Sequence, residues 1–119
     1  MSLGRPLRYR CDLAAPLELE DGGAARVRIL NLSETGAFVE TDLDLQVGDR
    51  GRLSVAFPGG DPWIATVQVI GLGESQREVR HPKVENVTVL RAGADLEFVD
   101  VPEEERNRLR GFLELLDER

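Results

Sequence analysis

Histidine, cysteine and tryptophan each occur once in these 119 residues, as His81, Cys11 and Trp63. One cysteine and one histidine exclude an internal disulfide and a cysteine/histidine zinc site within one chain. Cys11 therefore reads as a small apolar filler. No apolar run approaches the roughly 20 residues that span a bilayer, and Met1-Ser2-Leu3-Gly4-Arg5 leads into no signal-peptide core. A cytoplasmic location without membrane insertion is expected, which makes the Asn31-Leu32-Ser33 glycosylation match accidental. Positive charge is also short: 15 Lys and Arg against 22 Asp and Glu leave a formal charge of −7. Such a balance argues against general binding to DNA, RNA or an anionic membrane, so any anionic ligand must be held by a local basic cluster. Catalytic equipment is missing as well: there is no His/Cys or Ser/His arrangement, no phosphate loop and no carboxylate pair in surroundings that would shift its pKa. An enzyme is not expected.

What is present is globular. At 41% hydrophobic and 31% charged, the chain reads as one soluble domain over residues 1–119, long enough to bury roughly two-thirds of its unfolded surface. Its divisions are a basic arm (1–12), a β-rich body (13–100) and a C-terminal helix (101–119). The arm carries Arg5, Arg8 and Arg10 with no acidic residue before Asp12. A solvated tail is one reading of it. The other is an anion-binding arm, because guanidinium forks make bidentate bonds to phosphates or to the O6/N7 edge of guanine.

The body alternates with period two. Leu17 and Leu19 alternate with Glu18 and Glu20, and Asp21-Gly22-Gly23 closes the run as a turn; Val27 and Ile29 then alternate with Arg26 and Arg28. Ala37-Phe38-Val39-Glu40-Thr41 follows, then Leu53, Val55 and Phe57. Pro58-Gly59-Gly60-Asp61-Pro62 is a strong turn signal before a returning strand from Trp63 to Ile70. Trp63 beside the turn is expected to plug one end of the core. The polar stretch Gly71 to Lys83 reads as a solvated loop, with His81 at the surface. Strand character resumes over Val84 to Leu90, and again after Arg91-Ala92-Gly93 with Ala94, Leu96 and Phe98 inward.

The period then changes. Leu109, Phe112, Leu113 and Leu116 fall at i, i+3, i+4 and i+7, one face of a helix from about Pro102 to Asp117, with Asp100 and Glu103 spaced as a capping pair. The stripe must be covered by the sheet or by a partner protein.

Between the second and third runs lies Asn31-Leu32-Ser33-Glu34-Thr35-Gly36. Asn31 offers an amide donor and an acceptor, Ser33 a rotatable hydroxyl, and Gly36 a backbone able to take φ > 0 or to allow close approach. A plain turn and a polar binding corner both fit these residues.

Short antiparallel strands with one terminal helix favour closure into a small barrel, which removes exposed edges. The order of basic arm, Asn31-x-Ser33-x-x-Gly36 followed by Ala37-Phe38-Val39, Val47-Gly48-Asp49, and Gly93-Ala94-Asp95-Leu96-Glu97-Phe98-Val99-Asp100 before a Glu/Arg-rich helix resembles the PilZ domain over nearly the whole chain. That resemblance implies a mainly β fold: a six-stranded antiparallel barrel with one C-terminal α-helix. It also implies a non-enzymatic receptor for the second messenger cyclic di-GMP, a ligand and not a cofactor, that relays to an unidentified downstream protein as monomer or homodimer. In the family an R-x-x-x-R motif binds phosphates and guanine faces, and a D/N-x-S-x-x-G motif holds a guanine. The second motif is complete in Asn31, Ser33 and Gly36. The first is not reproduced: with Arg10 as its second arginine, the first position falls on Pro6, Arg5 lies one residue too early, and Arg8 has no arginine four residues on. Arg8 and Arg10, with Arg5 as auxiliary, are the implied ligand arginines. The alternative implication is a degenerate PilZ domain that binds no nucleotide and works through protein contacts.

Overall fold

The computed structural model describes residues 7–80, 82–83, 85 and 87–117. Arg5, Pro6 and His81 lie outside them. Six strands, β1 (Tyr9–Leu19), β2 (Ala24–Leu32), β3 (Gly36–Glu40), β4 (Arg50–Val55), β5 (Trp63–Val79) and β6 (Val87–Val99), are followed by one helix, α1 (Glu103–Asp117). All neighbouring strands are antiparallel, and the order β1-β2-β3-β6-β5-β4 closes into a barrel.

Period-two patterning drives the closure. Leu17 pairs with Ala25 and with Leu53, Val39 with Ala94, and Val67 with Phe98, so alternate positions of every strand point inward together. Ala15, Leu17, Val27, Ile29, Val39, Leu53, Val67 and Leu96 are all buried. Each large apolar side chain so placed contributes on the order of 1.5–3 kcal/mol.

The helix covers one mouth of the barrel. Leu109, Phe112, Leu113 and Leu116 are buried as the i, i+3, i+4, i+7 stripe requires, and the stripe is covered within the chain. Phe112 stacks on Phe57 at 4.4 Å between ring centroids, and Trp63, fully buried, meets Phe98 edge-on at 5.0 Å. The Trp63 indole N–H donates to the Glu105 carbonyl at 2.7 Å, which ties the plug to the helix. The first helical acceptor is the Pro102 carbonyl, bonded by the Arg106 N–H at 2.9 Å. Asp100 instead turns the chain out of β6 with φ of 52°, so the cap lies later than the Asp100/Glu103 spacing suggests.

Three boundaries differ from the expectation. β1 begins at Tyr9, so Arg10 and Asp12 sit on a barrel strand and not in an arm that ends at residue 12. Gly71–Val79 is strand, not loop: it pairs residue by residue with β6, from Gly71↔Asp95 to Val79↔Val87. That ribbon runs beyond the strands that flank β5 and β6 in the barrel. Its mostly exposed side chains need no apolar alternation, which is why the segment looks like a loop in sequence. Finally, Arg91-Ala92-Gly93 does not divide two strands but lies inside β6.

Candidate functional site

The corner that carries the Asn/Ser/Gly motif is a hairpin whose three loop residues are Ser33, Glu34 and Thr35, with Asn31 still in β2 and Gly36 already in β3. Ser33 is 1% exposed. Its Oγ accepts the N–H groups of Thr35 and Gly36, each at 3.2 Å, and lies 3.2 Å from the Gly36 carbonyl to which it donates. The hydroxyl is engaged in holding the loop shut. Gly36 is required for a different reason from a left-handed turn, because its φ is not positive. A Cβ there would collide with the Leu96 carbonyl oxygen, so glycine permits the close β3–β6 seam.

Asn31 sits at a register shift between β2 and β3. Its Oδ1 accepts the Phe38 N–H at 3.2 Å, a backbone donor that the irregular ladder leaves for a side chain to satisfy. The same Oδ1 takes a 2.7 Å hydrogen bond from Arg8 Nη1, which also stands 3.4 Å from Asp95 Oδ1. Arg8 is thereby held on the wall of the barrel. Arg10 lies directly across from Asn31 in the β1–β2 register and is exposed. Its guanidinium makes no hydrogen bond or ion pair to any described residue. The structure thus brings Arg8, Arg10, Asn31, Ser33 and Gly36 to one face, while Arg5 lies outside the described residues.

A groove of about 430 Å³ opens at this face. It is lined by Arg8 and by Ser33, Thr35 and Gly36 of the hairpin, together with Ile70, Asp95 and Glu97. Ile70, Asp95 and Glu97 of β5 and β6 are not among the ligand residues that the motifs indicate. Asp95 and Glu97 carry a visible signal, since they alternate with Ala94, Leu96 and Phe98 and must point outward. What linear sequence lacks is the pairing of Phe38 with Asp95 and Gly36 with Glu97 that sets them beside the motif.

The rest of the wall is differently built. Glu40, 8% exposed, accepts the Ser75 hydroxyl at 2.7 Å and Arg77 Nη2 at 3.3 Å, with Arg28 Nη1 at 3.8 Å. Arg28 also forms a two-pronged bond with Asp12, at 3.0 and 2.5 Å. The hydrogen bond from Arg28, reinforced by its charge, holds the Asp12 carboxyl below the usual aspartate value, and the same bond raises Arg28. Glu34 of the loop pairs with Arg110 of α1, so the hairpin is tied to the helix that caps the barrel. Among the described residues no cluster of His, Cys, Asp and Glu is placed to hold a metal ion, and no helix is long and apolar enough to cross a membrane.

Fold and wall together define a helix-capped, closed β-barrel domain with a groove on its outside that is lined by Arg8, the arginine bonded to Asn31. The family model for the PilZ domain matches residues 5–115, and the chain belongs to that family. Among solved structures, the PilZ domain of YcgR from Escherichia coli with c-di-GMP superposes with a TM-score of 0.77 at 21% identity, covering 98% of this chain and 93% of that one. MrkH, a c-di-GMP-dependent transcription regulatory factor, gives 0.75 at 13% identity over 98% of this chain and 52% of its own. The Bacillus subtilis inhibitor of motility MotI/DgrA gives 0.66 at 20% identity over 100% and 54%. The chain spans about half of the latter two. At these identities the likeness is one of fold. A search of curated proteins finds no match.

Proposed function

We propose that this chain is a non-enzymatic, cytoplasmic receptor that binds cyclic di-GMP in the groove beside Asn31 and relays the signal to a downstream protein. The observation that carries the proposal is the convergence of Arg8 and Arg10 on Asn31, above a hairpin that Ser33 and Gly36 hold in shape. Two phosphodiesters need cationic partners, and guanine presents O6 and N7 acceptors that arginine forks match. In this reading Arg8 and Arg10 take those roles, with Arg5 as auxiliary. Asn31 offers amide donors to one guanine, Ser33 fixes the loop on which that guanine rests, and Ile70 gives it an apolar edge. The structural likeness to a PilZ domain that carries c-di-GMP supports the same assignment.

A second reading has its own support. Asp95 and Glu97 line the groove, and the arginine spacing departs from R-x-x-x-R, as a domain that works only through protein contacts would allow. Isothermal titration with cyclic di-GMP separates the two. The receptor reading predicts saturable heat at a dissociation constant on the order of tens of micromolar or below. Absence of heat, with no displacement of a labelled dinucleotide in the same range, would overturn the receptor reading and leave the second standing.

A further inference from the structure

We infer that Asp95, together with the Asn31 carboxamide, reads the Watson–Crick edge of one guanine, and that the Arg8 guanidinium stands in that edge's place in the ligand-free chain. The inference rests on the receptor reading of the same groove and adds a specificity residue to it.

The first support is electrostatic. Arg8 is the one cation lining the groove among the described residues, and two carboxylates, Asp95 and Glu97, line it as well, so negative side chains outnumber positive ones there. A phosphodiester placed over that side would meet like charge, so the part of a cyclic dinucleotide that rests there must carry hydrogen-bond donors. An ionised carboxylate only accepts. In cyclic di-GMP the dense donor array is the guanine edge, where N1–H and the exocyclic N2 amine lie side by side next to the O6 acceptor.

The second support is the contact already made. One guanidinium nitrogen of Arg8 lies 2.7 Å from Asn31 Oδ1 and 3.4 Å from Asp95 Oδ1. The N1–C2–N2 portion of guanine is itself a guanidine-like unit, with N–H groups in the same planar array. The acceptors that hold Arg8 are therefore matched in kind to the base. Among the described residues the two N–H groups of Asn31 are not engaged, which leaves a donor for O6. The carboxylate is also accessible: its side chain is 43% exposed, and Gly71, across from Asp95, has no side chain to cover it. When the base enters, Arg8 is released toward phosphate beside Arg10.

The test compares cyclic di-GMP with its inosine counterpart, which lacks the exocyclic amine, on wild type and on Asp95→Asn by titration calorimetry. Wild type should prefer cyclic di-GMP by about tenfold or more, the size expected when a hydrogen bond to a charged group is lost. Asp95→Asn should weaken cyclic di-GMP by a similar factor and bring the two ligands within about threefold of each other. The wild-type comparison needs no variant, and because the Asp95 side chain is 43% exposed and meets Arg8 only at 3.4 Å, the melting temperature of Asp95→Asn should stay close to that of wild type. A preference that persists in Asp95→Asn, or tighter binding of cyclic di-GMP by it, would overturn the inference while leaving the receptor reading intact, since Asp95 would then only compete for Arg8. Wild type that binds neither dinucleotide would remove both.

Discussion

Two arginine clusters stand on the same outer wall and differ in what surrounds them. Around Glu40, Arg28 is gripped by Asp12 through two hydrogen bonds and Arg77 is drawn onto a carboxylate that is 8% exposed. Around Asn31, Arg8 makes one short bond and one long one, and the Arg10 guanidinium meets no described partner. The comparison teaches that an arginine on a strand is not a binding residue by type or spacing. It becomes one where the fold leaves its donors to another molecule. Arg26 and Arg28 alternate outward like Arg8 and Arg10, yet Arg28 is committed to holding β1, β2 and β3 together.

The largest effect should come from breaking the closed cluster. Replacing Arg28 and Arg77 by alanine together strands Glu40 with only the Ser75 hydroxyl, and stability in urea should fall by roughly 3 kcal/mol, the low end for a buried charge deprived of its partners. Dinucleotide affinity, measured where the variant remains folded, should stay within about twofold. In the open cluster the pattern reverses. Arg10→Ala should weaken cyclic di-GMP by roughly 1.5–3 kcal/mol with no change in urea midpoint, because only the ligand uses that guanidinium.

Asn31→Ala lies between the two, since Oδ1 satisfies the Phe38 N–H as well as Arg8. It should cost affinity by about 1 kcal/mol or more and stability by a similar amount, a joint loss that titration and denaturation can both read. The smallest effect concerns pH. The Asp12 carboxyl is lowered in the folded chain by its bond to Arg28, so it is more readily protonated when unfolded. Its contribution is complete above the ordinary aspartate value and disappears as pH falls through the lowered one. Asp12→Asn should therefore flatten the acid limb of the stability curve slightly and leave the curve above it parallel to wild type.

The interior of the barrel was legible because burial imposes a period. Leu17, Val27, Leu53, Val67 and Leu96 follow it in sequence and are buried, and the helix stripe switches period where the helix begins. The ribbon from Gly71 to Val79 was not legible, because a two-stranded extension with mostly exposed side chains carries no such constraint and is held by its ladder to β6. The site was half legible. Asn31, Ser33 and Gly36 stand within one hexapeptide, so local chemistry marks them. Asp95 and Glu97 reach the groove only through the β3–β6 register, a long-range pairing that no local pattern encodes. Of the two uses that sequence leaves open to Gly36, a positive φ or a close approach, the fold takes the second, against the Leu96 carbonyl.

The most direct test of the central claim maps where the ligand lands on this wall. Amide chemical shifts of the labelled chain, followed during titration with cyclic di-GMP, should move in a saturable way at Arg8, Arg10, Asn31, Thr35, Gly36 and Asp95, with Glu40, Ser75 and Arg77 nearly still. Shifts centred on the Glu40 cluster, or a spectrum that does not change, would contradict the account.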